Sequence, residues 1–426
     1  MRALLTFLLS CAWLGAQQFP IGVWLQDPQA QINGQSTAQA YRGIGINTWV
    51  GIWDWPSEAN RYPGYNNVAA NALRAAGFTR VYAGEDASAI TWLQQNPQHA
   101  DLFAGLLVRD EPDMRRYQPE NEPATFAATC LALRNQLDAA GFQTKQLWAN
   151  FGKGFAKIPW NGNPFVSQHE LLNDFALYTD HLDVASVDFY PITDPYEHPG
   201  ASGLWFYAEA ARNLRYWVTR NTRNPNIPCW GFVECGNPFS DSSGYRPFMP
   251  PEWIGAAVWL QLIAGAEGIT YFPQHALPAG APGNPLPGTT GNFPFEYPFC
   301  GAVMAAVNAQ VQTFAPVLLS GQHVEIASQT TTGAVPPLVT GRRYLDTLYV
   351  FAIGNGDADH KEGFDVDATF VLGAGDNIVQ VQVVGEDREV TMSGGVLADH
   401  FSPYQLHIYA VPVGSQLASI VRHSSR

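Results

Sequence analysis

The 426-residue sequence predicts an α/β chain: a (β/α)8 TIM barrel over residues 17–318, then a smaller all-β sandwich over 319–426. Three observations carry this. From residue 20, short apolar runs alternate with amphipathic helical segments through eight units. The runs are almost continuously apolar, as strands buried on both faces of a parallel sheet are. Beyond about residue 318 helical periodicity stops, and strand-like alternation broken by Gly and Asp turns takes over.

The barrel strands are expected at 20–25, 48–53, 79–83, 103–109, 146–151, 183–189, 228–233 and 269–273. Helical segments fall between them, among them 66–77, 123–140, 203–221, 251–265 and 299–315. The segments at 66–77 and 123–140 both run into Ala-Ala-Gly-Phe. Gly77 and Gly141 therefore sit where a helix C-cap glycine belongs. An open doubly wound sheet is the structural rival. It would carry a Gly-rich phosphate loop after an early strand, and G-I-G-I-N at 43–47 does not match that fingerprint. The C-terminal strands are expected at 322–327, 344–353, 367–372, 377–384 and 405–411.

Composition narrows the function. Net charge is −14, charged residues are only 14%, and there is no basic run, which argues against nucleic acid or an anionic membrane as partner. Residues 1–16 have one positive charge, an apolar stretch and then small residues, so they read as a signal peptide cut near Ala16. The stretch is too short to span a bilayer. Leu8-Leu9-Ser10-Cys11 only faintly resembles a lipoprotein signal, and a secreted or periplasmic protein is expected. Removing the leader leaves Cys130, Cys229, Cys235 and Cys300, enough for two disulfides. Cys235 and Cys300 are the preferred pair, with free buried thiols as the alternative. No cysteine or histidine spacing suggests a zinc site. N-G-D-A-D-H at 355–360 has the oxygen ligands calcium takes, without EF-hand spacing, and a solvated turn is the favoured reading.

In a barrel of this kind the loops after the strands meet at one face, and chemistry is expected there. The strand ends carry Trp53, Asp54 and Trp55, then Glu85 and Asp86, then Arg109-Asp110-Glu111-Pro112-Asp113. Asn150 follows the fifth strand, Asp188, Phe189 and Tyr190 the sixth, Glu234 the seventh, Tyr271 and Gln274 the eighth. Asp54 and Asp86 also suit helix N-caps. L-L-V-R-D-E-P at 106–112 and C-W-G-F-V-E-C-G at 229–236 share one shape, an apolar run stopping at a glutamate. Glu111 and Glu234 thus stand about half a barrel apart on one rim. A pair of carboxylates is what glycosidic bond cleavage needs, one to donate a proton and one to attack or to activate water.

Glutamates closing strands four and seven resemble glycoside hydrolase clan A, the retaining β-glycosidases, over about residues 20–315. The resemblance implies Glu111 as acid/base and Glu234 as nucleophile, with Tyr190 in V-D-F-Y-P as the tyrosine that hydrogen-bonds the nucleophile. The clan usually has Asn before the acid/base; here that place is Asp110. Its arginine after strand two is not evident, and its tryptophan after strand eight is replaced by Tyr271-Phe272. No cofactor is implied. The expected activity is cleavage of β-glycosidic bonds in an extracellular poly- or oligosaccharide. The alternative is a non-catalytic carbohydrate-binding barrel.

Candidate substrate-binding residues are Asp110, Tyr190, Asn150, Trp53, Asp188, Tyr271 and Gln274. Trp55, Trp148, Trp205 and Trp253 are further candidates for stacking on sugar. The Gly/Pro-rich stretch 276–298 is long for a connection and is expected to wall a cleft, with Phe293, Phe295 and Tyr297 near sugar.

Overall fold

A computed structural model describes residues 18–412, apart from 53–66, 85–87, 117, 158–173, 195–202, 222, 238–248, 277–288, 291–292, 297, 321, 331–333 and 373–377. Trp53, Trp55, Asp54, Glu85, Asp86, Tyr297 and the leader therefore lie outside the described residues, as does the Phe293 side chain.

The barrel closes through eight parallel strands. They are β1 (Ile21–Trp24), β2 (Thr48–Ile52), β3 (Arg80–Ala83), β4 (Phe103–Asp110), β5 (Gln146–Phe151), β6 (Val184–Val187), β7 (Cys229–Glu234) and β8 (Gly268–Phe272). Each pairs with its sequence neighbours, and β1 pairs with both β2 and β8. The helices packed outside include α1 (Thr37–Gly43), α2 (Asn67–Ala75), α3 (Ser88–Gln95), α4 (Pro123–Ala139), α5 (Phe206–Thr219), α6 (Pro251–Ile263) and α7 (Pro298–Thr313). Their limits follow local chemistry. Ser36 and Gln39 form a reciprocal capping box that starts α1. Pro123 opens α4, where its missing N–H costs nothing. Gly77 and Gly141 end the turns after α2 and α4 at φ of +84° and +83°.

Alternation along each strand separates two cores. Ile269 and Tyr271 of β8, or Cys229 and Val233 of β7, face the helices. Trp24, Val50, Tyr82, Leu107, Trp148, Val184, Trp230 and Phe232 fill the barrel interior. The interior rings meet edge-on or tilted, Tyr82 on Trp148 and Trp148 on Trp230 each at 4.9 Å, and Trp24 on Phe232 at 5.2 Å. The Trp148 indole N–H is satisfied by Ser186 Oγ at 2.8 Å. Gly268 makes room for this plug, since a Cβ there would lie 2.6 Å from the Trp230 ring. The plug closes the barrel, so the polar residues collect above it at the strand ends.

The C-terminal strands are β9 (His323–Val324), β10 (Ala327–Thr330), β11 (Leu338–Tyr344), β12 (Thr347–Ile353), β13 (Val366–Val371), β14 (Val379–Val383), β15 (Arg388–Ser393), β16 (Val396–Phe401) and β17 (Leu406–Pro412). They form one nine-stranded antiparallel sheet in the order β9-β11-β12-β17-β14-β15-β16-β13-β10. Val350, Phe370, Val381, Leu397 and Tyr409 pack among themselves in its own core. Leu338, Phe351, Ile353 and Ile408 instead join the core of the barrel. Trp259 of α6 stacks on Phe351 with centroids 5.6 Å apart and planes 18° apart.

Candidate active site

Glu111 is the first residue past β4, and its backbone is turned into the left-handed region at φ +47°. A residue with a Cβ pays about 1–2 kcal/mol there, and a following proline ordinarily pushes its predecessor to extended geometry. The bend is held by the Glu111 N–H, which donates to the Asn150 carbonyl at 2.8 Å. Across from it, Gly152 brings β5's exit close. A Cβ at Gly152 would stand 2.6 Å from Met114 Cγ and 2.9 Å from Glu111 Oε1. Strain concentrated at one carboxylate on a rim is a mark of a functional residue.

Carboxyl groups crowd around Glu111. Its own carboxyl is pushed up to about 7, by burial first and then by the charge of Asp113. Arg115 and Lys153 pull the other way. Asp113 accepts the N–H groups of Gly152 at 2.9 Å and Phe155 at 3.2 Å, yet burial still raises it to about 6. Asp188 is raised well above the usual carboxylate range by burial, then by the charges of Glu111, Asp110 and Asp113. Lys153 is paired with Asp194 at 2.5 Å.

Glu234, the last residue of β7, is fully buried in a different setting. One oxygen accepts the Ile192 N–H at 3.0 Å and the Tyr207 hydroxyl at 2.9 Å, and the other accepts the Thr193 hydroxyl. Burial raises it to about 7, against the pull of those three donors, and Asp194 adds to the rise. Tyr190 is close enough to both glutamates to feel their charge. Burial and the negative charge of Asp188, Glu111, Asp110 and Glu234 all raise its hydroxyl well above the usual range.

The structure thus places Asp110, Glu111, Asn150, Asp188, Tyr190 and Glu234 at one end of the barrel. Several expectations need correction. The Tyr190 hydroxyl donates to Asp188 Oδ2 at 3.3 Å, and a second tyrosine, Tyr207 from the first turn of α5, donates to Glu234. Tyr271 does not join the site: Thr270 and Phe272 have the interior parity, and Tyr271 faces outward, its hydroxyl on Asn308 of α7 at 2.8 Å. Asn150 is fully buried, donating to Asp110 at 2.9 Å and accepting from Ser186 at 2.7 Å, so it anchors Asp110 instead of presenting an amide to sugar. Trp148 belongs to the interior plug, and Trp253 packs against the helix-side core. Phe295 stacks edge-on against Tyr41 at 4.9 Å. Gln274 is 9% exposed just past β8.

Cys235 and Cys300 do come together, both fully buried with their sulfurs 3.8 and 3.9 Å from Met304 Sδ, but as free thiols. At 355–360, Asp357 Oδ1 accepts the N–H groups of Asp359 and His360, a self-capped turn. Among the described residues no group of three or more His, Cys, Asp or Glu is arranged to hold a metal, and no helix is long and apolar enough to cross a membrane. Sequence reasoning missed Thr193 and Tyr207, because neither closes a strand. Asp113 stood in the sequence string without a role.

No protein-family model matches the sequence, and no curated protein matches it significantly. Among solved structures the chain is similar to one described as a glycoside hydrolase, at TM-score 0.53 and 11% identity, with 93% of each chain covered. It is similar to Amy13B of Eubacterium rectale at TM-score 0.52 and 8% identity, covering 94% of this chain and 96% of that one. AmyP, solved in complex with maltose, gives TM-score 0.50 and 9% identity over 93% and 97%. At these identities what is shared is the fold, and the chain has the parallel-barrel architecture of glycoside hydrolases. The covered length is too great to stop at the barrel, so most of the C-terminal sheet is shared as well.

Proposed function

We propose that the chain is a secreted glycoside hydrolase that cleaves β-glycosidic bonds of an extracellular poly- or oligosaccharide with retention. The observation that carries this is the pair Glu111 and Glu234: two glutamates at the ends of β4 and β7, both raised to about 7 chiefly by burial, with a neighbouring carboxylate adding to the rise at Glu111 and three donors opposing it at Glu234. Environments that differ so strongly give two carboxyls different roles. Glu111, partly exposed and crowded by carboxylates, suits the proton donor. Glu234, gripped by three donors, is oriented as an anion and suits the nucleophile. The glycoside hydrolase that shares the fold supports the class; AmyP was solved with maltose, an α-linked sugar, so the β-linkage rests on the rim glutamates alone.

In this reading Glu234 attacks the anomeric carbon while Glu111 protonates the departing oxygen. Glu111 then takes a proton from the water that releases the glycosyl–enzyme intermediate. Asp110, held by Asn150, and Asp188 are the polar groups beside the acid, and Gln274 lies at the β8 edge. Trp53 remains the candidate stacking platform.

The test is product release from a panel of β-linked glucans, mannans, galactans, xylans and chitosan, with starch added, by native protein beside Glu234→Ala. Release by native protein alone supports the reading and names the sugar. Release from starch only would overturn the β-specificity. Glycan binding without products would favour the binding-barrel alternative.

A further inference from the structure

The exits of β5 and β6 lie between those of β4 and β7 on the barrel rim, and a buried ion pair ties them together. Lys153 opens the short helix Lys153–Ala156 after β5, and its Nζ stands 2.5 Å from Oδ2 of Asp194, past the exit of β6. The Asp194 side chain is 1% exposed and that of Lys153 17%. Taking two charges out of water is costly, and such a pair adds little stability over an apolar pair of the same size. What it does supply is a fixed separation between the two segments that carry the charges. The two-glutamate mechanism gives neither residue a part.

On the Asp194 side, residues 190–194 form a turn closed by the Asp194 N–H, which donates to the Tyr190 carbonyl at 3.1 Å. Two of the donors to Glu234 sit inside this turn, the Ile192 N–H at 3.0 Å from Oε1 and the Thr193 hydroxyl on Oε2. On the Lys153 side, Asp113 accepts the N–H groups of Gly152 at 2.9 Å and Phe155 at 3.2 Å, which fixes the backbone before and after Lys153. Gly152 is also the residue whose Cβ would stand 2.9 Å from Glu111 Oε1. A continuous set of contacts therefore runs from beside Glu111, through Lys153 and Asp194, to the turn that grips Glu234. We propose that Lys153 and Asp194 are positioning residues: their ion pair locks the 190–194 turn, so that Ile192 and Thr193 hold the Glu234 carboxylate aimed at the anomeric carbon and in register with Glu111. The inference rests on the reading of Glu234 as nucleophile.

The groups that face Glu234 are Tyr190, Thr193 and Asp194 from the β6 exit, Tyr207 from α5 and Cys235 from its own strand end. A slackened turn weakens the Ile192 and Thr193 bonds to the ionised carboxylate, and losing donors to the ionised form raises its midpoint. Removing Lys153 alone would also change the net charge beside Glu234, which mixes charge with position. Replacing both residues, Lys153→Met with Asp194→Leu, removes one charge of each sign and fills similar volume, a change that buried ion pairs tolerate. Asp194→Asn keeps the shape of the side chain and removes the ion pair.

Two measurements on the full chain test this without any substrate. The first is an NMR titration of protein carrying ¹³C-labelled glutamate carboxyls, with the Glu234 signal assigned by its loss in Glu234→Gln. From about 7 in the native protein, the Glu234 midpoint should rise by roughly half a pH unit or more in the double variant. Lys153→Arg, which keeps the charge and the donors, should hold the native midpoint. A double variant with the midpoint unmoved, whatever its melting temperature, marks a merely structural pair and overturns the proposal. The second is amide hydrogen exchange in Asp194→Asn. The 190–194 amides should exchange at least about tenfold faster than in native protein while those of β7 are unchanged. Equal rates in the turn, or the same acceleration in β7, would overturn it. On the substrate that the glycan panel identifies, the double variant should lose on the order of 10–100-fold in kcat with KM little changed. A raised KM with kcat kept would make the turn a binding element and sink the positioning role. Absence of product from native protein overturns the hydrolase reading, while titration and exchange still decide whether the pair locks the turn.

Discussion

The rims at β4 and β7 each hold a buried glutamate raised to about 7, in different company. At β4, burial and neighbouring negative charge both push Glu111 upward, and the backbone is strained to hold it there. At β7, burial pushes Glu234 up while three donors hold it back, and it lies within regular strand. A buried carboxyl with another acid beside it is stabilised by keeping its proton. One raised by burial but lined with donors is ready to be an anion. The lesson is that a similar upward shift does not mean an identical role, and the surroundings must be read for what they stabilise.

Substitution at the two glutamates should break the symmetry most strongly. Glu234→Ala is expected to lose at least about a thousandfold in kcat on every substrate, because no nucleophile remains. Glu111→Gln should lose on the order of 10²–10⁴-fold on sugars with poor leaving groups, and far less on an aryl glycoside whose leaving group needs no proton. Equal losses on both substrate types would erase the proposed division of labour.

Tyr207→Phe sharpens the β7 side. Removing a donor to the ionised form raises Glu234 further, so the acidic limb of kcat/KM should move to higher pH. A fall of about tenfold at pH 6 is expected from one charge-assisted hydrogen bond. The pH profile reads it directly, and an unmoved limb would count against Glu234 as the group that must ionise.

A smaller effect concerns stability. The folded-state midpoint of Glu111, about 7, lies above its ordinary 4.5. Its contribution is therefore fully present below about 4.5 and lost as pH rises through about 7. Melting temperature should fall between pH 5 and pH 8, and Glu111→Gln should recover a few degrees, roughly, at pH 8. A calorimetric comparison at the two pH values checks this. Smallest of all, Tyr271→Phe should leave kcat/KM unchanged and lower stability by about 1 kcal/mol, the worth of its bond to Asn308.

Much of this was legible in the sequence for a physical reason. Parallel strands buried on both faces must be apolar throughout, so the run C-W-G-F-V stopping at Glu234 shows both the strand and its exit. The helix-ending glycines were equally plain. In the C-terminal region β15 and β16 were missed, because R-E-V-T-M-S and V-L-A-D-H-F mix charge and apolar residues about a tight turn. Tyr271 was misplaced by one step of strand parity, which turns a side chain from the barrel interior to its outside. Tyr207 and Thr193 reach Glu234 across a loop and a helix start, and no local pattern announces a contact 27 or 41 residues away.

The stack of Trp259 on Phe351 bears on how the chain can be cut and rejoined. Phe351, Ile353 and Ile408 belong to the same apolar mass as the barrel's helices, and α6, which carries Trp259, is the helix that follows β7. Ending the chain near residue 318 would leave that mass open on one side, next to the strand that delivers Glu234. The two parts are therefore one folding unit with a visible seam, and a fusion partner or affinity handle belongs after Pro412 and not at the seam.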